Sequence, residues 1–355
     1  MQLAKAVGYL VKTLVILLGA VATCYLLLLA INWQDEQPSA AALLLQQHLQ
    51  APPQLSQDNN GYRYFSAHST DNELSVSALL ANLTRQCGGQ DCHSALVELQ
   101  PELGTVIAEH QPLADFYRRL QQFEYWYEPV PATMDAIPSY QPLLQAQQLW
   151  LLKAWQAALQ QDTAAVQSLL QQDLQFWRRT LASNQLLLGK MVSVSAIKKH
   201  FAVASIILQQ LPVAVRGTAM PALWSQPFDN IELSLEQALA GEWAFGNMVI
   251  ATVLQPEAVK TEQSLTDATV SLLLQPLLLP QASSNDRASL LLAQINAEAL
   301  PARSWYSGLY NPIGKLLNSV AVTDYAVYQQ RLQELEPLRQ QAVLTTAASV
   351  NSTAQ

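Results

Sequence analysis

From Thr13 to Gln34 the chain carries no charged residue, and the centre of that run, LVILLGAVATCYLLLLAI, is almost wholly apolar. At a helical rise of about 1.5 Å per residue the run spans about 33 Å, close to the roughly 30 Å of a bilayer's hydrocarbon core. The pattern predicts a transmembrane helix over 13–34, preceded by a short segment, 1–12, that holds Lys5 and Lys12. Asp35 and Glu36 follow directly, so the positive-inside rule puts the N-terminus in the cytoplasm and everything after Trp33 across the membrane. Tyr9 and Trp33 suit the two headgroup belts. A cleaved signal peptide and a lipoprotein signal ending at Cys24 are the competing readings. The first expects a shorter apolar region and a small-residue site; the second expects another residue than Thr23 before the cysteine. Two further apolar stretches, Phe245–Leu254 and Val270–Leu279, run for about ten residues each, below the 17–25 that a spanning helix needs.

Beyond the anchor, residues 35–60 are rich in Gln, Asp, Asn and Pro and read as a polar stalk. Folding is expected to begin at Gly61 and to continue to 344, with 345–355 a disordered tail of small polar residues. Between Pro142 and Pro212 lies a proline-free stretch whose lone glycine is Gly189, and it should hold the longest helices. There Val166, Leu170, Leu174, Trp177 and Leu181 recur at spacings of three and four, with Asp162 placed as an N-cap. Leu151, Trp155 and Leu159 recur likewise, so the two segments predict a helical hairpin turning at Gln161-Asp162. A third helix follows, with Leu187, Met191, Val194, Ile197, Phe201, Ala204 and Leu208 on one face. Helices are also expected at Ser234–Ala240, Arg287–Ala297 and Asp324–Leu344. No second copy of the hairpin appears at a 34-residue period. The expected fold is all-α: the N-terminal transmembrane helix, then an irregular helical bundle or solenoid-like domain.

Composition narrows the partners. Charged residues make up 13% of the 355, about half the usual share, and the net charge is −8, which argues against nucleic acid because phosphate neutralisation needs clustered Lys and Arg. Twelve glycines and abundant Leu, Ala and Gln favour helices over sheets.

Candidate chemistry is sparse. Cys87 and Cys92 flank Gly88-Gly89 in R-Q-C-G-G-Q-D-C-H; in an oxidising compartment across the membrane this spacing reads as a local disulfide joining a helix that ends near Arg85 to one that begins near Asp91. Glu109-His110 lacks the second spaced histidine of a zinc protease, and His48, His68, His93, His110 and His200 are scattered, so neither a metal nor a cofactor is expected. The segment from Gly308 to Leu316 has one residue too many for a phosphate loop and a leucine where Ser or Thr should hold magnesium. In F-E-Y-W-Y-E-P, at 123–129, Glu124 and Glu128 flank aromatic rings, as in a sugar platform with paired acids; rings packed into a core are the plainer reading. Arg178, Lys190 and Lys198 lie in a stretch without acids, and Lys190 and Lys198 fall inside the apolar arc of the third helix while Lys199 and His200 fall outside it. Together they form a candidate site for an anionic envelope ligand, with edge-of-helix snorkelling or pairing as the alternative.

The anchor, N-G-Y-R-Y-F at 60–65, the Cys87/Cys92 pair, D-L-Q-F-W-R-R at 173–179, G-K-M-V at 189–192 and Y-N-P-I-G-K-L-L at 310–317 together resemble a family of uncharacterised bacterial single-pass inner-membrane proteins with a helical periplasmic domain. The resemblance implies a bacterial inner-membrane location and no residue roles. The resulting expectation is a membrane-inserted binding or scaffolding protein whose partner is an envelope protein or anionic envelope ligand. The alternative is a membrane-tethered hydrolase of envelope glycan or peptide.

Overall fold

The computed structural model describes residues 2–49, 57–87, 91–253, 270, 272–295, 305–320 and 324–351. Among these there are helices and turns, no strand, and one isolated bridge between Asn60 and Tyr125. In chain order the first helices are α1 (Gln2–Ile31), α2 (Ala40–His48), α3 (Gly61–His68), α4 (Ala78–Gln86), α5 (Cys92–Leu99), α6 (Leu103–Glu109) and α7 (Gln111–Gln122). Next come α8 (Gln141–Leu159), α9 (Thr163–Ser183), α10 (Leu187–Gln209), α11 (Val213–Ala219), α12 (Asn230–Leu233) and α13 (Glu236–Val253). The last are α14 (Pro280–Ile295), α15 (Pro312–Val320), α16 (Tyr325–Gln333) and α17 (Leu335–Asn351).

Contacts divide the chain into two compact units where one folded domain over 61–344 was expected. Unit 1 comprises Met1–Gln47 and Trp243–Asp324, and unit 2 comprises His48–Glu242 and Tyr325–Gln355.

Unit 2 is built on α8, α9 and α10. The α8–α9 hairpin turns where expected: Gln161 takes a left-handed φ of 61°, and Asp162 caps α9 by accepting from the Ala165 amide at 3.0 Å. The stripe from Val166 through Leu181 is fully buried. α10 is long and apolar enough to cross a membrane, yet 56% of its most apolar window is buried inside the unit. It is packed against α8, α9 and α17, which explains why its polar residues do not sort to a single solvent face. The expected helix over 324–344 is two helices, α16 and α17, broken at Glu334, because the ring of Pro337 clashes with a helical carbonyl at Gln333. α17 continues to Asn351, past the tail boundary expected at 345, with Ala342 and Thr346 buried. Cys87 and Cys92 are bonded, with their sulfurs 2.08 Å apart, and join α4 to α5 as expected; Gly88-Gly89 between them lies outside the described residues.

Unit 1 corrects the stalk. Residues 35–47 are folded against α14, because side chains that read as stalk polarity serve as helix caps. The Asp35 carboxylate accepts from the amides of Gln281 and Ala282 at 2.8 and 2.9 Å, satisfying orphan donors at the α14 N-terminus. Asn285 donates to Glu36 and to the Gln37 carbonyl, and it accepts from the Ser39 amide. Ala42 and Leu45 of α2 are buried. A second knot is made of buried asparagines. Asn311, at a left-handed φ of 52°, donates its amide to Asn32 Oδ1, its side chain bonds Ser283 Oγ, and its Oδ1 accepts from the Leu279 amide. Gly314 permits this closeness: a Cβ there would lie 1.9 Å from Ser283 Oγ.

Candidate functional site

The most enclosed ionisable cluster lies in unit 2 and was not singled out from the sequence. Asp173 of α9 and His200 of α10 are fully buried, and His200 Nδ1 lies 2.7 Å from Asp173 Oδ2. The indole of Trp224 donates to His200 Nε2 at 3.0 Å, so Nε2 is the acceptor and the Nδ1 proton faces the carboxylate. Asp173 also accepts from the Tyr117 hydroxyl at 2.5 Å and from Gln147 at 3.3 Å. Burial first, and then the Asp173 charge, holds the Tyr117 hydroxyl well above the usual tyrosine range. A carboxylate and imidazole so placed resemble a general-base pair, but the imidazole's second nitrogen is occupied by Trp224 and neither group meets solvent. What the cluster does chemically is tie α7, α8, α9, α10 and the Ala222–Ser225 turn together. The sequence did carry a signal. Asp173 sits three residues after Leu170 and four before Trp177, on the apolar stripe itself. His200 sits three after Ile197 and four before Ala204, inside the arc it was expected to leave.

The candidate acids, Glu124 and Glu128, do not converge. Glu124 is exposed and accepts from Asn59 at 3.3 Å, whereas Glu128 is fully buried. Glu128 accepts from the Tyr140 hydroxyl at 2.7 Å and from the Leu186 amide at 3.4 Å. Burial pushes its carboxyl up to about 7 despite those donors, so near neutral pH a large fraction stays protonated. Gly189 makes the space: a Cβ there would lie 2.8 Å from Glu128 Oε2 and 2.7 Å from Asn184 Oδ1, a buried acceptor with no protein donor. The rings of the same segment do not form a platform. Trp126 is buried, and its ring packs within 6 Å of Tyr62, Phe65 and Phe176.

The anion cavity expected from Arg178, Lys190 and Lys198 does not form, because each cation has its own partners. Arg178 makes two 2.6 Å bonds to Glu232, donates to the carbonyls of Gln226 and Pro227, and stacks 4.7 Å over Phe228. Lys198 pairs with Glu334 at 2.5 Å on a partly exposed surface. Lys190 is buried and donates to the Leu181 and Ile231 carbonyls at 2.8 and 3.2 Å, so it serves the C-terminal turn of α9. Burial lowers its ammonium to about 8, against the opposing pull of Glu232 and Asp229. Lys199, placed outside the arc from sequence, is also lowered to about 8 by burial.

The remaining motifs are internal as well. Lys315, in the stretch that resembled a phosphate loop, donates to the carbonyls of Ser307 and Tyr310 and so closes its own turn. His110 is buried, with Nδ1 against the Val106 carbonyl and Nε2 accepting from the Ser77 amide. Among the described residues no three His, Cys, Asp or Glu side chains gather as a metal site would require. The chain matches no protein-family model, no curated protein and no solved structure at a significant level.

Proposed function

We propose that this is a single-pass, membrane-anchored binding or scaffolding protein of the bacterial cell envelope, with its N-terminus in the cytoplasm and its helical units in the periplasm. The observation that carries the reading is α1: Val7–Ile31 is uncharged except for Lys12, and none of its most apolar window is buried in the fold. A 25-residue apolar helix with none of its most apolar window buried needs a solvent of its own kind, and a bilayer supplies it. Lys5 and Lys12 before the apolar run, and Asp35 and Glu36 after it, support the orientation. The Cys87–Cys92 bond suits an oxidising compartment.

A binding role is favoured because Asp173, His200, Glu128 and Lys190 are each hydrogen-bonded within the fold, and an envelope protein is the favoured partner. An anionic envelope ligand is the weaker choice, since Arg178, Lys190 and Lys198 are held apart by separate partners. The hydrolase alternative rests on Glu128, whose carboxyl near 7 is suited to a general acid but has no exposed surface. A reporter enzyme active only across the membrane, fused after residue 60, should be active, and the full chain should stay with membranes through alkaline carbonate washing. An active cytoplasmic reporter at the same junction would overturn the topology and remove the argument from the disulfide. Crosslinking in intact cells followed by identification of the captured chains tests the binding role.

A further inference from the structure

Unit 1 has apolar surface beyond α1, and hydrogen bonds fix its depth along that helix. The Tyr25 hydroxyl donates to the Leu273 carbonyl at 2.8 Å. The Asn32 side chain donates to the Leu309 carbonyl at 2.9 Å, and the Tyr310 hydroxyl donates to the Gln34 carbonyl at 3.0 Å. Asp35, the first charged residue after the run, caps α14. Read along α1, these contacts form a scale: Leu273 lies level with Tyr25, about 12 Å below Trp33 at 1.5 Å per residue, and the 309–311 turn lies at the level of Trp33.

The residues beside Leu273 face outward. Leu272 is 70% exposed, and Val270, Leu273 and Leu274 are each more than 40% exposed. No charged residue occurs from Ala268 to Asn285. The neighbouring α15, which packs against the Gln275–Leu277 turn, exposes Leu316, Leu317 and Val320 while burying Gly314 and Asn318. Its lysine, Lys315, is turned to carbonyls of its own loop.

We propose that Val270 and residues 272–274, together with the outer face of α15, are inserted in the periplasmic leaflet of the bilayer that α1 crosses, so that unit 1 is seated in the membrane as well as tethered to it. The inference rests on the anchoring reading of α1. The occupant is lipid rather than a protein because the strip lies level with the uncharged part of α1, and whatever surrounds Tyr25 surrounds Leu273. At that depth no water competes for a backbone carbonyl, so the Tyr25 hydroxyl supplies a donor that the hydrocarbon lacks. The stretch is too short to span, and its Gln275-Pro276 turn brings the chain back toward the Asp35 cap, as an insertion confined to one leaflet requires.

The test uses the full chain, Cys24→Ser, in vesicles of phosphatidylethanolamine and phosphatidylglycerol doped with phosphatidylcholine brominated midway along its acyl chains. A fluorescent thiol label is placed in turn at Leu272→Cys, Leu316→Cys and Leu26→Cys, the last being an exposed α1 position at the depth of Tyr25. The label at 272 should lose emission to the bromines as the label at 26 does and be shielded from aqueous iodide; the label at 316 should lose emission to a smaller extent. A label at 26 that is quenched while those at 272 and 316 are open to iodide would overturn the seat and leave the anchor standing. Loss of quenching at all three would overturn the anchor and the seat together.

Discussion

The large exposed apolar residues of unit 2, such as Leu79, Val97, Ile231 and Leu344, are scattered singly, whereas those of unit 1 run together in the 272–274 strip and on α15. The polar interiors differ in the opposite sense. Unit 2 buries ionisable groups, with Asp173, Glu128, Lys190 and His200 inside it, and gives each hydrogen-bond partners. Unit 1 ties itself together with neutral asparagines, Asn32, Asn311 and Asn318, and keeps the Asp35 carboxylate at a helix N-terminus. A unit whose exposed apolar residues are isolated can bury its leucines and tryptophans and tolerate ions inside if they are hydrogen-bonded. A unit with an apolar exterior has no such outlet, so amides that need no counter-ion hold its shape.

The largest expected effect tests the buried charge of unit 2. Asp173→Ala leaves the Tyr117 hydroxyl and the His200 Nδ1 proton without their acceptor and the Gln147 amide with the Ala196 carbonyl alone, and urea unfolding should show a loss of about 3–5 kcal/mol. A loss below about 1 kcal/mol would show that unit 2 does not depend on its buried charge as the comparison holds.

Glu128 tests whether that interior tolerates an ion at all. Its carboxyl lies near 7 in the fold against the ordinary 4.5, so the folded state holds the proton more tightly than the unfolded one. That stabilisation is complete below pH 4.5 and is lost as pH rises through 7, about 3 kcal/mol in all. Glu128→Gln should flatten this slope, making the variant the more stable chain at pH 8 when both are unfolded thermally. An unchanged slope would place the titration elsewhere.

Asn311→Ala addresses unit 1. It removes the bonds to Ser283 and the Leu279 amide and keeps a left-handed φ on a residue that disfavours it, for a cost of about 2 kcal/mol. Hydrogen exchange should speed at the amides of 279–285 and remain unchanged across α8–α10; faster exchange throughout both would mean that the units do not open separately. The smallest effect belongs to the surface. Lys198→Ala breaks a partly exposed pair with Glu334 and should cost less than about 0.5 kcal/mol.

Residue pattern alone was sufficient for what depends on local periodicity: the apolar length of α1, the stripe of α9, the hairpin turn at Gln161-Asp162 with its cap, and the disulfide of close cysteines. Those features are set by neighbours within a few residues, so spacing reveals them. Tertiary structure decided the rest. The polar residues of 35–39 read as stalk until α14 supplied open amides for Asp35 to cap. Arg178, Lys190 and Lys198 read as a cluster along the chain, and their partners, Glu232, the Leu181 carbonyl and Glu334, are set by packing that no local period encodes. The arc of α10 sorted Lys199 and His200 outward because one helix face was assumed to meet water, and enclosure by α8, α9 and α17 removed that assumption. The apolar run at 270–279 is the clearest case: its length excluded a span, and only the bond from Tyr25 sets Leu273 beside the apolar α1, because that is a relation between distant segments.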